Sequence, residues 1–138
     1  MEHKGVYEPE SIEAAREAYE TAGPAAQIAI KEATKAMAFD NAEYNERVTA
    51  EVVETARDAL FASLLKVYHG SRAEFEAWCE NRQFSVDLAG SDEVASVVWH
   101  PVALDETVVA ASYQNEPEAA AATVRRRAFG RQYRELFE

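Results

Sequence analysis

The sequence predicts a single α+β domain in which an N-terminal helical bundle packs with a three-stranded antiparallel sheet and a C-terminal helix. Apolar residues recur every three or four positions to about residue 83, then follow a strand-like pattern, and finally return to helical spacing. A chain of 138 residues is long enough for one hydrophobic core and short for two. We therefore expect helices within about 9–83, the sheet within about 84–113 and the terminal helix within about 116–137.

The N-terminal part begins with two predicted helices. Pro9 suits the first turn of helix one, which we expect Gly23 to end, and Pro24 suits the first turn of the next helix. A long helical stretch is predicted from Asn41 to His69, with a possible break near Thr49. Its apolar arc is too wide for a helix that faces solvent on most sides, so it should be the central helix of the bundle.

The short helix and the strands follow. Ser71 and Glu74 have the spacing of a capping box and predict a helix after residue 70. A turn is expected at Gly90–Asp92, between the first two strands. Three segments rich in β-branched and apolar residues are typical of strands, at 84–88, 94–99 and 107–113.

The charge of the chain is strongly negative. Twenty-five acidic residues outnumber 14 basic ones, glutamate outnumbers aspartate 20 to 5, and arginine outnumbers lysine 10 to 4. Such surfaces are typical of proteins in a salt-rich cytoplasm, because carboxylates hold water and salt ions while a Debye length of about 3 Å at 1 M salt screens their repulsion. An ordinary acidic bacterial protein is the alternative. Either way, the charge disfavours nucleic acid as a partner.

Several classes of protein are disfavoured by what the sequence lacks. Apolar runs are far shorter than the roughly 18–20 residues of a membrane span, and the acidic first segment does not resemble a signal peptide, so we expect a cytoplasmic protein without a membrane partner. Cys79 with His69 or His100 could in principle be a thiol nucleophile and its base, yet no local motif supports this pairing. The histidines lack metal-binding spacings and the glycines lack phosphate-loop spacings. We expect no catalytic residue, metal or cofactor.

The C-terminal helix, which Asn115 and Pro117 should open, carries an unusual density of arginine. Residues 125–138 hold five of the ten arginines against two glutamates, giving a net charge of +3 in a chain whose total is −11. On a straight helix three of these arginines fall within about 60 degrees of one another. They form the predicted arginine row, Arg127, Arg131 and Arg134.

Helix one offers an acidic row with the same spacing, made of Glu13, Glu17 and Glu20. The two rows would complement each other within one chain or between two copies. Two other interpretations stay open: a solvated row without a partner, and an external anionic partner such as nucleic acid or another acidic protein. Guanidinium groups suit all three, because their fork pairs with carboxylate and phosphate alike.

Two segments, 47–65 and 125–134, resemble a family of small, acidic, uncharacterised proteins from haloarchaea, and the resemblance extends over most of the chain, including Gly23–Gln27 and Glu74–Trp78. The resemblance implies a salt-rich cytoplasm and supplies no activity to transfer.

The leading functional hypothesis is a non-catalytic cytoplasmic protein-interaction module that self-associates through its terminal helices. A nucleic-acid-associated regulator with a winged-helix-like arrangement is the first alternative, because several helices precede a β-hairpin. An enzyme with an atypical pocket is the second.

Overall fold

The computed structural model describes every residue except Asp92, so part of the turn predicted at Gly90–Asp92 lies outside the described residues. The helices are α1 Ile12–Ala36, α2 Asn41–Arg47, α3 Ala50–Ser63, α4 Arg72–Glu80 and α5 Pro117–Ala128. The strands are β1 Glu2–Lys4, β2 Val67–Ser71, β3 Ser85–Ala89, β4 Ser96–Val102 and β5 Thr107–Tyr113. After α5 the chain continues as a π-helical turn, Phe129–Tyr133, and a 3-10 turn, Arg134–Phe137.

The α+β class is confirmed, but the prediction of a three-stranded antiparallel sheet is wrong. The described strands form one five-stranded mixed sheet in the order β1-β2-β4-β5-β3. All three predicted strands are present as β3, β4 and β5. However, β5 lies between its two predecessors, so it pairs antiparallel with β4 and parallel with β3.

Strand β2 replaces the end of the predicted long helix. The predicted break is present, since the Thr49 hydroxyl accepts a hydrogen bond from the Val52 N–H at 3.3 Å and caps α3. Helix α3 ends at Ser63, and β2 then pairs with β4, placing Tyr68 opposite Trp99. Apolar residues lie close together on both sides of the boundary, with only Lys66 between Leu65 and Val67, so periodicity alone did not separate helix from strand.

Helix α1 passes through Gly23 and Pro24, so the prediction that Gly23 ends helix one is wrong. Ala22, Ala26 and Ile30 are buried on one side of this helix, and their packing outweighs the poor helix propensity of glycine and proline. Pro24 itself is exposed. Glu20, whose carbonyl group loses its donor there, is an exposed residue as well, which limits the cost of an internal proline.

The sheet is covered on both faces. On the face that carries Val98 and Val109, α5 packs on the strands, α3 packs against α5, and α1 packs against α3. Helix α4 packs on the opposite face, that of Trp99 and Val108. On the first face the fully buried ring of Phe61 lies at the centre of an aromatic cluster, with ring centroids 5.0 to 6.0 Å away. The surrounding rings of this Phe61 cluster are Tyr7, Tyr19, Phe129, Tyr133 and Phe137.

His100 is a fully buried polar side chain in this core. Its Nδ1–H donates to the Lys66 carbonyl at 2.5 Å, because a carbonyl can only accept, and its Nε2 accepts from the Tyr133 hydroxyl at 2.8 Å. Burial lowers the pKa of His100 to about 4 and raises the pKa of Tyr133. A neutral hydrogen-bonded chain thus joins the residue before β2, strand β4 and the π-helical turn.

The buried His100 predicts a loss of stability in acid. The imidazole has a pKa near 6.5 in an unfolded chain and about 4 in the folded one, so the unfolded state binds more protons in between. The free energy of unfolding should fall as the pH drops through that window, by about 2 kcal/mol between about pH 7 and pH 5. Urea unfolding of the wild type and of His100→Gln at both pH values gives the loss of unfolding free energy for each protein. The difference between the two losses is the contribution of His100, because other groups contribute equally to both. The exposed-site control His3→Gln should keep the full loss, and an unchanged loss in His100→Gln would contradict the assignment.

Candidate functional site

The arginine row is anchored on the sheet by Asp87, which lies on the edge strand β3. Arg127 Nη2 donates to Asp87 Oδ1 at 2.7 Å, and Arg131 Nη1 donates to Oδ2 at 2.7 Å. Each carboxylate oxygen therefore binds one guanidinium. The side chains of Arg127 and Asp87 are 30% and 22% exposed, and that of Arg131 is 53% exposed, so the cluster lies at the surface with one arginine facing solvent.

The electrostatics of the cluster favour a charged Asp87. Burial by itself would raise the pKa of this carboxyl group, but hydrogen bonds and charge from Arg127 and Arg131 outweigh it and lower the pKa below its ordinary value. Two guanidinium groups share one carboxylate, which leaves the cluster with one net positive charge.

Arg134, the third residue of the arginine row, does not bind Asp87 in the described chain. The chain is π-helical over Phe129–Tyr133 and 3-10 from Arg134, so the angles of a straight α-helix do not apply there. Arg134 is exposed, and its guanidinium carbon lies 5.2 Å from the centre of the Phe129 ring. Its charge is therefore held near the surface by an aromatic ring.

The acidic row lies on the exposed side of α1. Glu13, Glu17 and Glu20 are all exposed, and within the described part of the chain no ion pair joins them to the arginine row. Helix α1 nevertheless contacts the C-terminal turns, because Arg16 Nε donates to the Leu136 carbonyl at 3.3 Å and Tyr19 stacks on Phe137 with centroids 4.0 Å apart.

Two sets of contacts of the arginine-rich segment were not predicted from the sequence: those of Asp87 with Arg127 and Arg131, and those of Arg125 with backbone carbonyl groups. Asp87 carried a usable signal, since it is the one charge in the predicted strand 84–88. Arg125 carried none: its Nε donates to the Leu65 carbonyl at 2.8 Å and its Nη2 to the Lys4 carbonyl at 3.3 Å, and backbone acceptors leave no trace in a sequence. Arg125 thereby ties α5 to the N-terminal segment.

Two of the groups considered for nucleophilic catalysis lie on opposite faces of the sheet, since Cys79 packs in the cluster with Trp99 and His100 binds Tyr133 in the other cluster. Cys79 is half-buried on α4, and burial raises the pKa of its thiol, which disfavours the reactive thiolate. Both ring nitrogens of His100 are committed to Lys66 and Tyr133. Burial is the largest cause that lowers the pKa of His69, on β2. Among the described residues, no three His, Cys, Asp or Glu side chains are grouped to hold a metal ion.

The position of the β4–β5 hairpin bears on the winged-helix comparison. Both strands lie inside the sheet, with β2 on one side and β3 on the other, so the hairpin does not project as a wing. None of the helices in the described ranges, 1–91 and 93–138, combines the length and the apolar composition that a bilayer crossing requires.

Fold and site together define an α+β protein whose distinctive surface is a short arginine-rich segment fixed to an edge strand. Residues 6–134 match the model of a family described as "Family of unknown function (DUF5809)", and the chain therefore belongs to that family. Searches of curated proteins and of solved structures gave no significant match.

The anchoring role of Asp87 is tested by Asp87→Asn. The substitution removes the charge that both guanidinium groups bind, so the free energy of unfolding at low salt should fall by about 1–2 kcal/mol, a range that allows for the exposure of Arg131. Asp105→Asn is the matched control, because this exposed aspartate has no ion pair in the described part of the chain, and it should change stability by less than about 0.5 kcal/mol. Equal losses in the two variants would show that the ion pairs do not anchor the segment.

Proposed function

We propose that the protein is a non-catalytic interaction protein of a salt-rich, haloarchaeal cytoplasm that self-associates through its terminal helices. The observation that supports this most directly is that the acidic row and Arg134 are both exposed and are not paired with each other in the described chain. A second copy can place its acidic row against Arg134, and a two-fold axis would use this contact twice.

The anchoring of the arginine-rich segment supports a preformed surface. Asp87 fixes Arg127 and Arg131, and Arg125 is fixed to two carbonyl groups, so the segment does not have to be ordered when a partner arrives. Less conformational entropy is then lost on association. An internal anchor also leaves most of the positive charge of the segment unneutralised.

The salt concentration determines which interactions can stabilise such an interface. At a Debye length of about 3 Å, only ion pairs in direct contact keep their attraction, so the rows would set register while apolar contact supplies affinity. Ile12, beside the acidic row, is 45% exposed, and Leu136 is only partly buried beside Arg134. These side chains provide apolar area next to both rows.

The salt-rich environment is tested by thermal unfolding. The net charge of −11 should destabilise the fold in dilute buffer, so the midpoint should rise between about 0.1 M and 2 M KCl, by on the order of 10 °C. A variant with Glu32→Gln and Glu46→Gln, two exposed positions outside the rows, carries less charge and should depend less on salt. A midpoint that stays constant across this range would remove the basis for a halophilic origin.

Self-association is tested by light scattering coupled to size exclusion in about 2 M KCl. We expect a mass above that of one chain, and Arg134→Glu should lower it because the new carboxylate repels the acidic row of the second copy. Arg126→Glu is the matched control, with the same change of charge at an exposed arginine outside the row. A monomeric wild type at every salt concentration would refute the proposal, as would equal effects of the two substitutions.

A further inference from the structure

A groove of about 630 Å³ lies between α1, α3 and the C-terminal turn, away from Asp87. Its lining combines a cation, carboxylates, an amide and apolar side chains. The residues that the argument uses are Gln27, Val53, Glu54, Arg57, Phe137 and Glu138.

Arg57 is held rigidly at this groove. Its Nε donates to the Tyr19 carbonyl at 2.9 Å, and its guanidinium carbon lies 4.4 Å from the centre of the Tyr19 ring. Tyr19 is fixed in turn, because its hydroxyl donates to Asp58 at 2.6 Å and its ring stacks on Phe137. Within the described residues no hydrogen bond or ion pair occupies the two terminal nitrogens of Arg57.

The guanidinium of Arg57 lies against α1 at Gly23. A Cβ atom at this position would lie 3.4 Å from both the guanidinium carbon and Nη2 of Arg57. That is an ordinary van der Waals distance, so the guanidinium lies within contact range of α1 but does not require a glycine there. The Gly23–Gln27 segment, unusual inside a helix, contributes both this contact and the Gln27 amide of the groove.

The charges around Arg57 restrict the ligand. Two free terminal nitrogens form an end-on fork that suits a carboxylate. Glu54 and Glu138 line the same groove and would repel a simple anion, but they would attract an ammonium group. Val53 and Phe137 add apolar surface between these charges.

We infer that this groove binds a small zwitterion of the amino-acid class, with its carboxylate on Arg57, its ammonium group toward Glu54 and Glu138, and an apolar side chain against Val53 and Phe137. The inference is independent of self-association, because it uses neither the arginine row nor the acidic row.

The test uses three matched probes: L-leucine, isocaproate, which lacks the amine, and isoamylamine, which lacks the carboxylate. Each is titrated into the full chain at the lowest KCl concentration that keeps it folded, and two-dimensional amide NMR follows Gln27, Val53 and Arg57. Leucine should give saturable shifts with a Kd on the order of 1 mM, and the other two probes should bind at least about tenfold more weakly. Absence of saturable leucine shifts overturns the proposal, and so does isocaproate binding as tightly as leucine.

Variants separate the two charged contacts. Arg57→Gln should weaken leucine binding by about tenfold or more, whereas Arg47→Gln, at an exposed arginine on α2, should leave it unchanged. Glu54→Gln replaces an exposed carboxylate, so it should fold even if Arg57→Gln does not. It should weaken leucine and not isocaproate. Leucine affinity that is unchanged in Glu54→Gln, or equal in both arginine variants, would refute the assignment.

Discussion

The packing of aromatic rings around Phe61 is the constraint on which the remaining structure depends. This buried ring joins elements far apart in sequence: Tyr7 from the N-terminal segment, Tyr19 from α1, and three rings from the C-terminal turns. Aromatic pairs of this kind add to the free energy of burial and fix relative orientation. The same rings position the surfaces: Tyr19, on which Phe137 stacks, holds Arg57, and Phe129 lies under Arg134.

The interior and the surface respond to salt in different ways. Around Phe61 and His100 the core relies on apolar burial and on a neutral hydrogen-bonded chain, neither of which needs screening. Hydrophobic burial does not depend on the charge of the protein surface, whereas repulsion among exposed carboxylates depends directly on ionic strength. Any adaptation to brine therefore resides in the exposed glutamates. Asp87 is a different kind of acid, because two arginines already neutralise it.

Short-range sequence patterns predicted the caps, the helix break and three strands, but they did not predict features that depend on packing between distant residues. The capping box at Ser71 and Glu74, the break at Thr49 and the strands β3 to β5 follow from short-range pattern, and the structure contains them. The parallel pairing of β3 with β5 does not follow from short-range pattern, because strand register and order are set by which faces must be buried. β1 spans three residues, too few for periodicity to register, and Gly23–Pro24 stays helical only because the neighbouring alanines are buried. The Asp87 anchor is 40 residues from Arg127, beyond any spacing rule.

The excess of arginine over lysine has a structural account beyond surface charge. Among the residues that the structure describes, five of the ten arginines donate to backbone carbonyl groups of other segments or of a preceding helical turn: Arg16, Arg57, Arg72, Arg82 and Arg125. A guanidinium can satisfy several such acceptors at once, as Arg72 does with Ser91 and Val94, whereas an ammonium group lacks the planar fork. Arg127 and Arg131 are held by Asp87, so most arginines bind groups of the same chain. The composition therefore overstates the free positive surface, and it is the high glutamate content, not the low lysine content, that supports a salt-rich environment.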